Sequence, residues 1–182
     1  MWTSRSSAAF PTVAGTANSA GSSATVTTRG RAWATPSSRH AVDDQSRLAY
    51  SEQHHDERKE TAAAFRERAR AFFAAHAIEV RAVLTDNGSC YRSSCFAAAL
   101  GPNVKHRYTR PNRPQTNGKA ERFNRTLTAE WAYAETYLSD EARSATYQSW
   151  LHHYSHHRPH TGIGGKSPID RVGVHNVPRH YS

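Results

Sequence analysis

Two acids in this chain stand where a phosphodiester-cutting centre would need them. Asp86 closes an aliphatic run, Val80-Arg81-Ala82-Val83-Leu84-Thr85. Asn87-Gly88 then turns the chain away and leaves a carboxylate at the end of a strand. Glu121 lies 35 positions further on, in the first turns of a helix whose buried stripe is Ala120, Phe123 and Leu127. Helical spacing sets it beside Asn124, Arg125 and Thr128 on a polar face. Phosphoryl transfer assisted by divalent ions requires oxygen ligands from several carboxylates, gathered at one edge of a rigid framework. Each acid also has an ordinary structural reading. An Asp in Thr-Asp-Asn-Gly is a turn residue, and an acid in a first helical turn complements the helix dipole.

The sequence around Glu121 is strongly basic. Between Asn103 and Arg125 stand Lys105, Arg107, Arg110, Arg113, Lys119, Arg122 and Arg125 against the single acid Glu121, a density that suits phosphate contacts. A solvated basic face is the plainer alternative. The whole chain carries a formal charge of +9 with a pI near 10.0, which favours a polyanionic partner without naming it. Cys90 and Cys95 make neither a disulfide framework nor, without two further ligands, a zinc site, and free thiols fit a reducing cytoplasm. His152, His153, His156, His157 and His160 raise a zinc reading, but no acid or thiol stands nearby to close a site. A partly charged helix end is the simpler account. No run approaches the roughly 18 apolar residues of a membrane span.

The elements that would position these residues follow from periodicity. Ala41 to Tyr50 reads as strand, polar turn, strand. A helix beginning at Asp56 has its stripe at Ala62, Phe65, Ala69, Phe72 and Phe73, and fades near His76-Ala77. The strand ending at Asp86 is followed by a short helix over Cys95–Leu100 and a strand around Val104–Tyr108. A Pro-rich basic loop, Thr109–Asn117, leads into the helix of Glu121, whose stripe runs on through Trp131 to Ala134. A third helix is capped by Ser139 and ends near Arg158-Pro159. Strands alternating with helices predict an α/β layer fold.

Leu84-Thr85-Asp86-Asn87-Gly88-Ser89 closely resembles the catalytic core of bacterial insertion-sequence transposases of the DDE type, relatives of retroviral integrases. So does the run from Arg110 to Asn124 that contains Gln115-Thr116-Asn117-Gly118 and Glu121-Arg122-Phe123-Asn124. The Asp-to-Glu spacing matches that family's last two acids. Tyr154-Ser155-His156-His157-Arg158-Pro159-His160, with Gly164-Gly165 and Ser167-Pro168-Ile169, is similar to its closing segment, and Val42-Asp43-Asp44 with Ser46-Arg47 to its second and third strands. The resemblance implies a ribonuclease-H-like mixed sheet flanked by helices, with Asp86 and Glu121 as catalytic residues and divalent-metal ligands for Mg²⁺, with Mn²⁺ as substitute. It further implies DNA as partner (transposon ends and target), a homo-oligomer, and a bacterial cytoplasmic, nucleoid-associated setting.

The family's third acid, on its first strand, is missing. Among the first 38 residues 26 are Ser, Ala, Thr or Gly and none is Asp or Glu, so residues 1–40 are expected to be a disordered tail that replaces the first strand, with 41–182 the partial core. Met1-Trp2-Thr3 is encoded by ATG TGG ACN, and the shifted frame GTG GAC reads Val-Asp. The tail thus reads as an out-of-frame copy of that strand, with the frame recovered around Arg39. Asp43 and Asp44 match a hairpin turn. The chain is therefore expected to be inactive in strand transfer, to lack an end-binding region, and to suffer from an unpaired strand edge. Two alternatives stay open: an active enzyme that recruits Asp43 or Asp44, and a non-catalytic DNA-binding or assembly module.

Overall fold

Side-chain alternation along the central strands decides the architecture. The computed structural model describes residues 2–5, 37–109 and 118–175. Strands β1 (Trp2–Arg5), β2 (Ser37–Val42) and β3 (Ala49–His54) form an antiparallel sheet in that order. Strands β4 (Ala82–Thr85) and β5 (Lys105–Tyr108) pair in parallel, and β1 lies against β4, so the two sheets meet there. The first-strand position, expected to be vacant, is taken by Trp2–Arg5, which pairs with Ser38–Ala41 and covers the edge of β2. Residues 6–36, the bulk of the expected tail, lie outside the described residues.

Because neighbours on a strand point to opposite faces, Ala41 and Leu48 enter one core and Val42 and Ala49 the other. The first core is closed by α1 (Lys59–Ala75) through Ala62, Phe65, Ala69 and Phe73, by Phe96 and Leu100 of α2 (Ser94–Leu100), and by Val172 of α6 (Pro168–His175). The second is closed by Phe123 and Leu127 of α3 (Gly118–Leu127) and by Tyr147, Trp150, Leu151 and Tyr154 of α5 (Tyr147–His156). Helices therefore cover both faces of the strands, the mixed α/β arrangement expected.

The elements differ from their sequence-based bounds where tertiary contacts intervene. The helix expected from Asp56 begins at Lys59, since Asp56 Oδ1 instead accepts the Arg58 N–H at 3.0 Å. The stripe expected to reach Ala134 stops earlier: after Leu127 the chain widens into a π-helical turn, Thr128–Ala132, and Ala134 is exposed. Trp131 there is anchored by its Nε1–H, which donates to Thr146 Oγ1 at 2.9 Å. The third helix is split by Thr146 into α4 (Asp140–Ala145) and α5. Ser139 Oγ caps α4, as expected, by accepting the Ala142 N–H at 3.1 Å.

Asp43 and Asp44 occupy the β2–β3 turn. Asp43 Oδ2 accepts from the N–H groups of Gln45 and Ser46 and from Ser46 Oγ, the last two at 2.7 Å, while Asp44 pairs with Lys119. Arg47 completes the turn with φ 69°. Among the described residues no helix is long and apolar enough to cross a membrane.

A polar thread runs through the second core. Ser51 Oγ meets both His40 Nδ1 and Tyr147 OH, and all three residues are buried. Ser51→Ala should leave two buried polar groups without this partner and cost about 1–3 kcal/mol, read as a lower midpoint in chemical denaturation. Burial also holds the His40 imidazole down, from 6.5 to about 3. Below pH 6.5 the unfolded chain takes up a proton that the folded chain refuses until about pH 3. Stability should therefore fall as pH drops through that window, by at most roughly 1.4 kcal/mol per pH unit. His40→Gln should flatten this part of the thermal-stability profile, and an unchanged profile would remove His40 as its source.

Candidate functional site

Asp86 emerges at the C-terminal end of β4, half-buried, immediately after the fully buried Thr85. Its Oδ1 folds back to accept the Gly88 N–H at 2.8 Å. That closeness explains the glycine: a Cβ at position 88 would lie 2.9 Å from Asp86 Oδ1. Asn87 Nδ2 donates to the Thr109 carbonyl at 2.9 Å and ties the turn to the end of β5. Burial raises the Asp86 carboxyl above its ordinary value; the Gly88 N–H and the charge of Arg39 oppose the rise, and Glu57 adds to it.

Arg39 was not foreseen as part of this neighbourhood. Its side chain lies on β2, only 1% exposed. Its guanidinium donates to Cys90 Sγ at 3.7 Å and to the carbonyls of Asp56 and Arg58 at 3.3 and 3.5 Å, while Nε has no hydrogen-bond partner. A buried cation without a directly bonded carboxylate has no signature in a periodic pattern, so sequence reasoning could not find it. Glu57, next to the start of α1, was likewise missed.

Glu121 sits in the first turn of α3, partly exposed. It lines a cavity of about 410 Å³ with Asn124, Arg125, Thr128, Ala129 and Tyr133, the polar face that spacing predicted. Asn124 Oδ1 is buried there without a hydrogen-bond partner.

The structure divides the expected DNA-binding residues. Lys105 and Arg107 are exposed on β5, on the strand face opposite His106, whose ring bonds Thr85 Oγ1 at 2.9 Å. Lys119 and Arg122 line a different cavity from Glu121, of about 890 Å³, and Arg125 stands on the rim of both. Arg110 and Arg113 lie outside the described residues. Arg47 and Arg158 join Lys119 and Arg122 in that larger cavity. Neither was singled out as a phosphate contact, because only the fold brings the β2–β3 turn and the chain after α5 to α3.

The family that the sequence resembles works with divalent metal ions. The residues described around Asp86 do not fit such a centre. One Asp86 oxygen is engaged by backbone, a buried guanidinium shares its surroundings, and among the described residues no three His, Cys, Asp or Glu side chains gather to hold an ion. Four histidines are exposed at the end of α5, where the His152 and His156 rings stack 4.2 Å apart.

Known proteins share both sequence and fold with this chain. Residues 102–168 match the family model described as "Integrase core domain". Over 88 residues, 47% of this chain, it is 33% identical to the putative transposase InsD for insertion element IS2E of Escherichia coli (strain K12). The match covers 39% of that protein. The transposase InsD for insertion element IS2A/D/F/H/I/K of Escherichia coli is also 33% identical over 88 residues, 29% of its length. The match thus spans well under half of these curated relatives. Among solved structures, a chain of the simian T-cell lymphotropic virus intasome in complex with PP2A regulatory subunit B56 gamma superposes with a TM-score of 0.60 at 21% identity, covering 81% of this chain and 50% of that one. Residues 102–168 are thus similar to integrase core domains, and the chain shares its fold with the intasome chain.

Proposed function

We propose that this protein is a strand-transfer core that retains DNA binding and is deficient in catalysis, acting in the setting of DNA transposition or integration. The observation that carries this reading is the Arg39 guanidinium buried in the neighbourhood of Asp86. A fixed positive charge there opposes the accumulation of divalent ions that strand transfer by this family demands. Asp86 and Glu121 remain the candidate catalytic pair, with Mg²⁺ or Mn²⁺ the ion they would serve in a complete site. DNA binding rests on the exposed cations Lys105, Arg107, Arg122 and Arg125 with the half-buried Lys119, and on Arg110 and Arg113, which precede α3 in the sequence. The cellular setting is the bacterial cytoplasm beside the nucleoid, and the working form a homo-oligomer.

The missing acid has a natural place in this reading. In the shifted frame the Asp codon straddles Trp2 and Thr3. Those residues lie on β1, which pairs with β2 and lies against β4, the strand that ends before Asp86. Residues 1–38 thus represent the out-of-frame copy of an acid-bearing first strand, and residues from about Arg39 the in-frame core.

A labelled random-sequence duplex should bind the purified chain in a strongly salt-dependent manner and should not be nicked in Mn²⁺. Nicking that Asp86→Asn abolishes would overturn the catalytic half of the proposal and favour recruitment of Asp43 or Asp44.

The coding DNA tests the frame directly. Translated one register over, residues 1–38 should continue upstream into further transposase-like sequence. An immediate stop codon in the shifted frame would end this account.

A further inference from the structure

The cavity of about 890 Å³ beside α3 is enclosed by three separate parts of the chain. The β2–β3 turn supplies Asp44 and Arg47, α3 supplies Lys119, Arg122 and Arg125, and the segment after α5 supplies Arg158 with Thr161 and Gly162. Five side-chain cations therefore face one carboxylate. Its floor is aromatic: Phe123 packs edge-on to Tyr154 at 4.9 Å, and Tyr154 edge-on to His160 at 4.6 Å. Cavities of this volume that take small organic ligands are mostly apolar. A cationic lining suits a polyanion instead.

The cations are held in place. Lys119 pairs with Asp44 and also donates to the Asp44 carbonyl at 3.1 Å. Arg158 grips Glu130 with Nε and Nη2, at 2.8 and 2.6 Å. Arg47 is set by the left-handed backbone at its own position and donates to the Asp44 carbonyl. Arg122 is exposed and makes no ion pair among the described residues. Fixed cations lose little freedom when a phosphate arrives, and unpaired ones supply the contact.

The helix itself sets this cavity apart from the acid face. At about 100° per residue, Lys119, Arg122, Phe123 and Thr126 line the cationic cavity, while Glu121, Asn124 and Thr128 line the smaller one. We propose that the cleft formed by Arg47, Lys119, Arg122 and Arg158 is a phosphodiester-binding site of its own, holding a segment of duplex DNA on the side of α3 turned away from Glu121. This rests on the DNA-binding reading above and goes beyond it, because it adds Arg47 and Arg158 and places the contact off the acid face.

The salt dependence of duplex binding by the full chain tests it, with anisotropy of a labelled 30-base-pair duplex (about three helical turns at 10–10.5 base pairs each) measured across 50–200 mM KCl. Each lost phosphate contact lowers the slope of log K against log salt by about 0.9. Arg47→Ala with Arg122→Ala should lower it by about 1.8, whereas Arg70→Ala with Arg81→Ala, the same charge removed from exposed positions elsewhere, should leave it unchanged. Equal changes in the two double variants would overturn the cleft while leaving the DNA-binding reading intact. If Arg47→Ala disturbs the turn and the fold, Arg158→Ala, outside the general DNA-binding set, decides alone through its expected loss of about 0.9. A wild-type chain with no salt-dependent duplex affinity would instead defeat the broader reading.

Discussion

Strand β2 is buried from both sides, and the rest of the molecule is arranged around that constraint. Ala41 is 0% exposed toward the α1 layer and Val42 1% exposed toward the α3–α5 layer. A strand covered on both faces offers water to none of its side chains, so any polar group on it must find a partner inside the protein. His40 does so through Ser51, and Ser51 through Tyr147. That thread fixes α5 against the sheet, and Phe123 packs on both Trp150 and Tyr154 of α5, so the rotation of α3 is fixed as well. The division of α3 into an acid face and a basic face is thus a consequence of how β2 is buried.

Arg39 meets the same constraint on the other side of the strand, and less fully. A buried guanidinium is expensive unless its donors are satisfied. Here the partners are a thiol sulfur and two carbonyls at 3.3 and 3.5 Å, with Nε left over. The nearby carboxylate of Asp86 gains from that charge even without a direct bond, which offsets part of the cost of its own burial. The Arg39 charge makes the burial of Asp86 more tolerable and leaves less negative potential for an external cation. Gly88 reinforces this arrangement by letting the Asp86 carboxylate turn back onto the backbone.

Much of the scaffold was legible because it depends on local period. The apolar stripes at Phe65 and Phe73 and at Phe123 and Leu127 predicted α1 and α3 and the faces they bury, and Thr-Asp-Asn-Gly predicted a strand end with an emerging carboxylate. What escaped depends on contacts between distant segments. The stripe through Ala134 fails because Trp131 is drawn to Thr146 and the helix widens before it can continue. Arg66 occupies a polar slot in the α1 pattern yet is 2% exposed, since its Nη2 reaches the Leu100 carbonyl at the end of α2. The basic residues were legible as a cluster but not as two groups. Their division needs the turn at Arg47 and the segment at Arg158, distant in sequence from α3 and adjacent only after folding.

The two candidate acids end in unequal electrostatic settings, and this inequality follows from where the cations settle. Lys119 lies two residues before Glu121, a separation that turns it about 200° around the helix, so its ammonium reaches the β2–β3 turn at Asp44 instead. Arg158 is claimed by Glu130. Glu121 thus keeps an open polar cavity with Asn124 and Thr128 beside it, whereas Asp86 has its cation built in through Arg39. A site meant to gather divalent ions would need both acids exposed to the same shared field, with internal cations kept at a distance. In this fold Arg125 shares the cavity of Glu121 at the open surface, whereas on the Asp86 side the cation is buried in the core at Arg39.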